Sequence, residues 1–218
     1  MNRETGKKFF EQSYKLGDKR IETGFGWPIK GVGGEIKDFF KIIKKHTATG
    51  QVLDLGCGEG RICIFFAKNG FESYGIDFAS SAIDRAKIFS KEEKVSDKIK
   101  FRVGNILSLP YQDNFFDVAV DSSAFDHVEP INWNLYLKNL LRVLKQKGFY
   151  ILTVFSANTP WLGQKNRYYS EDAYFHFFTE NDIKEIFGKY FKIIEIQEKL
   201  HTKPQPTFMF YHVLMGKK

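Results

Sequence analysis

Segment 54–61, DLGCGEGR, places Asp54 and three glycines, Gly56, Gly58 and Gly60, directly after an apolar run. Glycines at that spacing let a backbone turn sharply and let a ligand approach closely, and a helix opening just beyond offers free N–H groups. The carboxylate narrows the choice of ligand, because Asp54 would repel a pyrophosphate and attract an ammonium or sulfonium ion. The dinucleotide fingerprint has a third glycine where Arg61 stands, and the G-K-[ST] of a phosphate-binding loop does not follow. A second acid, Asp77, ends the run ESYGID, where it can accept hydrogen bonds from two hydroxyls, and Phe78 follows it. Further on, DSSAFDHVEP (121–130) brings Asp121, Asp126 and His127 together. Histidine ordinarily titrates near neutrality, so His127 is the first choice for a general base, with Asp126 second.

Those residues need a scaffold, and the apolar periodicity supplies one. Ile36, Phe39, Phe40 and Ile43 repeat at helical spacing over 35–45. The run QVLDL (51–55) reads as a buried strand, followed by a helix from about Gly60 to Asn69-Gly70. Further strands are expected at 72–77, 98–103, 115–120 and 148–155. A helix capped by Ser80 or Ser81 and another carrying Leu137, Leu140, Leu141 and Leu144 lie among them. Thr179 with Asp182 has the form of a capping box opening a last helix. The closing runs 191–200 and 207–216 have no helix between them, so they must pair antiparallel. Strand alternating with helix implies a parallel sheet with helices on both faces, and ligands bind such a sheet at the carboxyl ends of its strands.

On these residues, VLDLGCGEGR with GIDFA downstream, the chain resembles the class I S-adenosylmethionine-dependent methyltransferases over about 51–155. The resemblance implies an α/β Rossmann-like, seven-stranded, mostly parallel sheet with a C-terminal antiparallel strand. It implies that S-adenosylmethionine is the cofactor, with its methionine part on Asp54, Gly56, Gly58 and Gly60 and its ribose on Asp77. Phe78 and Ile106 would lie against the adenine. Asn105, in GNI where the family often has G-D, would meet the adenine amino group, and Asp121 would frame the cofactor from its strand end. The loop after the fourth strand is not the N/D-P-P-Y/F of nucleic-acid amino-methylating enzymes, and no cysteine lies there. The expectation is therefore a methyl group moved by in-line displacement to O, N or S of a small molecule. The sulfonium leaves neutral and no ligand cluster gathers in the motifs, so a metal-free enzyme is expected.

The flanks set the alternatives. The net charge of +7 sits mainly in residues 1–50, with 11 Lys/Arg against 6 Asp/Glu, whereas 51–155 is balanced at 13 against 13. A basic flank is compatible with an RNA- or protein-modifying methyltransferase, or the chain could be a cofactor-binding module without turnover. Aromatics make up 17% of the chain, enough to line a pocket as well as a core. Tyr14 and Trp27 near the N-terminus and Trp161 and Tyr168 in 156–178 are expected to cover the substrate. The organisation expected is one methyltransferase domain, with a helical cap (1–50), a cofactor core (51–155), a lid insertion (156–178) and the last helix with the strand pair (179–218). No apolar run reaches the ~20 residues of a membrane helix, and two cysteines in one short segment make neither a disulfide framework nor a metal quartet, so a cytoplasmic protein is expected.

Overall fold

A computed structural model describes residues 3–15, 32–162, 167–169, 174–201 and 207–218, with the backbone alone for 3–7 and 167–169. Strands β1 (Gln51–Leu55), β2 (Glu72–Asp77), β3 (Ile99–Val103), β4 (Phe116–Ser122) and β5 (Leu144–Phe155) pair in parallel. A small ribbon, β6 (Arg167–Tyr169) with β7 (Tyr174–His176), stands apart. Strands β8 (Phe191–His201) and β9 (Phe208–Lys217) complete a seven-stranded sheet in the order β3-β2-β1-β4-β5-β9-β8, with β9 antiparallel to both neighbours. The described helices are α1 (Arg3–Lys15), α2 (Gly34–Lys44), α3 (Arg61–Lys68), α4 (Ser80–Glu92), α5 (Trp133–Val143) and α6 (Glu180–Phe187).

The apolar pattern explains the layering. Val52 and Leu53 are both fully buried but face opposite sides of the sheet, as a central parallel strand requires. Val52 meets Phe39 and Ile43 of α2 and Phe66 of α3. Leu53 shares the other layer with Leu137 and Leu140 of α5 and Ile183 and Phe187 of α6. Each such side chain contributes about 1.5–3 kcal/mol by leaving water. Helix α6 opens with both halves of its capping box, Thr179 to the Asp182 N–H and Asp182 back to the Thr179 N–H.

Two elements differ from the sequence reading. Strand β5 starts at Leu144, directly after α5, rather than at residue 148. Its first turn is polar and bulged, with Lys147 at φ +62°, so apolar periodicity does not register it. The 156–178 insertion also holds β6 and β7, which were not anticipated as strands.

The parallel strands end on one edge. Sheet order reverses between β1, whose chain continues toward β2, and β4, which leads to β5. A crevice opens at that switch point. The start of β9 and the end of β8 reach the same edge, because Phe155 pairs with Phe210 and His201 with Phe208.

Candidate functional site

The loop after β1 folds as the glycines dictate. Gly58 has φ +51°, and a Cβ there would meet the Tyr14 hydroxyl at 2.7 Å. Gly60 has φ +77° at the N-cap of α3, and a Cβ would strike the Phe101 ring of β3 at 2.5 Å. Gly60 thus gives a close approach of helix to sheet. The loop borders a cavity of about 820 Å³, within the range of small-molecule sites, roughly 300–1,000 Å³.

Asp54 and Asp77 form the acidic floor of this cavity. Asp54 is buried, with its Oδ2 3.6 Å from Cys63 Sγ. Burial raises its pKa to about 8, the Cys63 thiol opposing this while the charges of Asp121 and Asp77 add to it. Asp77 accepts the Gly58 N–H and the Ala79 N–H, both at 2.9 Å, so one carboxylate ties the glycine loop to the start of α4. Burial lifts Asp77 to about 6 against those two bonds. Phe78, Asn105 and Ile106 line the same cavity. The Asn105 Oδ1 accepts the Leu107 N–H at 2.8 Å, so that oxygen already closes its own turn.

Two acids of the β4 loop are not where the sequence reading placed them. Asp121 is fully buried and does not line the cavity. It holds the loop from behind, accepting the Ala124 N–H at 2.8 Å, the Phe125 N–H at 3.1 Å and the Tyr136 hydroxyl at 2.6 Å. Asp126 is also fully buried off the cavity and accepts the Phe155 N–H at 2.9 Å. Burial pushes its pKa well up.

His127 does line the cavity. Its Nδ1 lies 2.8 Å from the Tyr174 carbonyl oxygen, which can only accept, so Nδ1 carries the proton and Nε2 the lone pair. Phe10 and Phe175 pack edge-on against the ring at 4.8 Å. Burial lowers its pKa to about 4. The near-neutral titration that first recommended His127 is therefore absent, and the ring is neutral at pH 7.

The cavity roof comes from α1. Tyr14 and Phe10 line it, and Phe10 also packs edge-on against Phe78 at 5.6 Å. Glu11 fastens the helix, its Oε1 accepting the Ser80 hydroxyl at 3.1 Å and the Ser81 N–H at 3.2 Å. The proposed lid residues divide. Trp161 lies outside the cavity, 43% exposed, donating to the Thr207 carbonyl at 2.9 Å and packed on Phe177 and Phe208. Trp27 and the Tyr168 side chain lie outside the described residues.

Sequence reasoning missed one group altogether. Glu35, His201 and His212 converge on the cavity wall beside Thr153. The group lies outside the motifs, assembled from α2, β8 and β9, and no local spacing announces it.

A glycine loop, strand-end acids and a switch-point cavity on this sheet define a Rossmann-like α/β fold with an acid-lined ligand pocket. Comparison with known proteins gives the class its name. The family profile described as "Methyltransferase domain" matches residues 46–200. A 2-heptyl-1-hydroxyquinolin-4(1H)-one methyltransferase of Mycobacteroides abscessus is 27% identical over 86% of this chain and 78% of its own. The human EEF1A lysine methyltransferase 2 is 38% identical, but over 47% of this chain and only 46% of its own length. In fold, the Burkholderia thailandensis 1,6-didemethyltoxoflavin-N1-methyltransferase, solved with 1,6-didemethyltoxoflavin and S-adenosylhomocysteine, superposes with a TM-score of 0.78 at 19% identity, covering 99% of this chain and 88% of that one. The chain belongs to the methyltransferase-domain family and uses S-adenosylmethionine.

The residues present fit that cofactor. Asp54 is a buried acid whose raised pKa a cationic ligand would relieve, and Asp77 borders the same floor beside the apolar wall of Phe78 and Ile106.

Proposed function

We propose that this enzyme methylates an oxygen, nitrogen or sulfur atom of a small, uncharged or cationic acceptor. The observation that carries the reading is the carboxyl-rich lining of the cavity, whose acids ionise beside a cation. Glu35, Asp54, Glu59, Asp77 and Glu129 line it, against a single lining arginine, Arg61, among the described residues. A polyanion gains nothing from such a wall. The roof formed by α1 also suits a compact acceptor better than an extended chain.

When bound, S-adenosylmethionine would supply a methyl group on a sulfonium, its sulfur departing as the neutral thioether of S-adenosylhomocysteine. Asp54 would hold its ammonium end, Asp77 the ribose hydroxyls, and Phe78 with Ile106 the adenine. Phe10 and Tyr14 exclude water above them. His127, with Nδ1 fixed on Tyr174, offers Nε2 to a proton of the acceptor and orients that atom. Alignment of this kind is worth about 7–11 kcal/mol in good cases. The buried free thiols Cys57 and Cys63 accord with a reducing, cytoplasmic setting, and no described helix is long and apolar enough to cross a membrane.

The test is methyl transfer from labelled S-adenosylmethionine. One arm offers hydroxylated heterocycles and aromatic amines, and the other offers total RNA and cell protein. Label is expected in the small molecules alone. Label confined to RNA or protein would overturn the reading.

A further inference from the structure

The C-terminal strand pair builds a polar cluster that methyl transfer, as derived above, does not use. Glu35 stands in the first turn of α2, His201 ends β8, and His212 faces Thr153 across the β5–β9 ladder. The two imidazoles meet through Nε2 at 3.2 Å. One ligand atom from each of the three residues lies within 4.8 Å of the others. Glu35 and His212 are buried, and all three border the cavity.

We propose that Glu35, His201 and His212 bind one divalent transition-metal cation of the zinc class on the cavity wall. Two imidazole nitrogens bound at about 2.0–2.1 Å in tetrahedral geometry lie about 3.3–3.4 Å apart. The observed 3.2 Å is close to that, so a cation can seat between them with little movement. In the absence of a cation, one Nε2 must carry a proton to bond the other, and metal binding displaces that proton.

The surroundings fit a ligand role. The Nδ1 of His212 lies 3.1 Å from Thr153 Oγ1, a partner that can take the Nδ1 proton and leave Nε2 free for a metal. Glu35 supplies the carboxylate oxygen of the set from the first turn of α2. Lys199 Nζ, 3.1 Å from Glu35 Oε1, competes with a cation for that carboxylate. Three protein ligands would leave one position of a tetrahedral cation for a further donor. Use of that position by an acceptor oxygen or nitrogen rests on the function proposed above, whereas cation binding does not.

The experiment uses the full chain without a polyhistidine tag, stripped with chelator and titrated with Co²⁺ at neutral pH. One equivalent is expected to bind with visible d–d absorption, and Zn²⁺ should displace it. His201→Gln and His212→Gln should each weaken binding at least tenfold. Thr153→Val should weaken it about tenfold, and Lys199→Met should tighten it. His46→Ala, at an exposed histidine remote from the cluster, should change nothing. Calorimetric binding of S-adenosylhomocysteine confirms that each variant is folded. No Co²⁺ binding, or binding unchanged in folded His201→Gln and His212→Gln, overturns the proposal. Metal binding with no transfer to any small molecule would leave the site standing and remove the proposed function instead.

Discussion

At Asp54, burial and two neighbouring carboxylates retain a proton that a solvated aspartate loses well below neutrality. A cationic ligand favours the ionised form, so cofactor binding at pH 7 should expel a proton. Calorimetry of S-adenosylhomocysteine in buffers of different ionisation enthalpy will measure it, and Asp54→Asn should abolish it. Affinity should rise between pH 6 and 8. Asp77→Ala removes the acceptor proposed for two ribose hydroxyls and should weaken cofactor binding by about 1–3 kcal/mol, read by the same titration in a folded variant. His127 is neutral across the working range, its pKa lying near 4. His127→Ala should lower kcat by about 10²–10⁴-fold if the residue takes a proton, while the wild-type pH–rate profile shows no imidazole ionisation between pH 5.5 and 8.

At the level of elements, legibility followed locality. Strand β1, the glycine loop and α3 were readable because apolar run, glycine spacing and helix pattern fall within one continuous stretch. The α6 capping box was readable for the same reason, and Thr179→Ala should lower stability by about 1 kcal/mol in denaturant unfolding. The roles of Asp121 and Asp126 were not readable. A strand-end acid reads alike whether it faces a ligand or a loop backbone, and only the fold puts Tyr136 and the Phe155 N–H in their way. The cluster of Glu35, His201 and His212 needed long-range pairing of β9 with β5 and β8. Trp161 was expected over the substrate because aromatic residues suit pockets, but the same indole suits a loop anchor, and its N–H found the Thr207 carbonyl.

For the whole molecule, buried acids set the response to pH. Asp77 and Asp121 hold their protons to about 6 and Asp54 to about 8, against 3.8 for the unfolded chain. Between those values the folded state binds more protons than the unfolded one, so their contribution is complete below about pH 4 and declines as pH rises through 6 and 8. The cofactor-free enzyme should therefore lose thermal stability from these acids over pH 5–8, and added cofactor should restore more of it at pH 8 than at pH 6. Differential scanning calorimetry with and without S-adenosylhomocysteine checks both. The fastening of α1 has a kinetic consequence. Glu11 grips the start of α4 just after Asp77, while Phe10 on the same helix touches both Phe78 and His127. If cofactor and acceptor both bind beneath this helix, spent cofactor and methylated product should leave past it, each exchange waiting on the helix to unlatch. Turnover should then be paced by unlatching, slow down in viscous solvent, and quicken in Glu11→Ala even as that variant binds its acceptor less tightly.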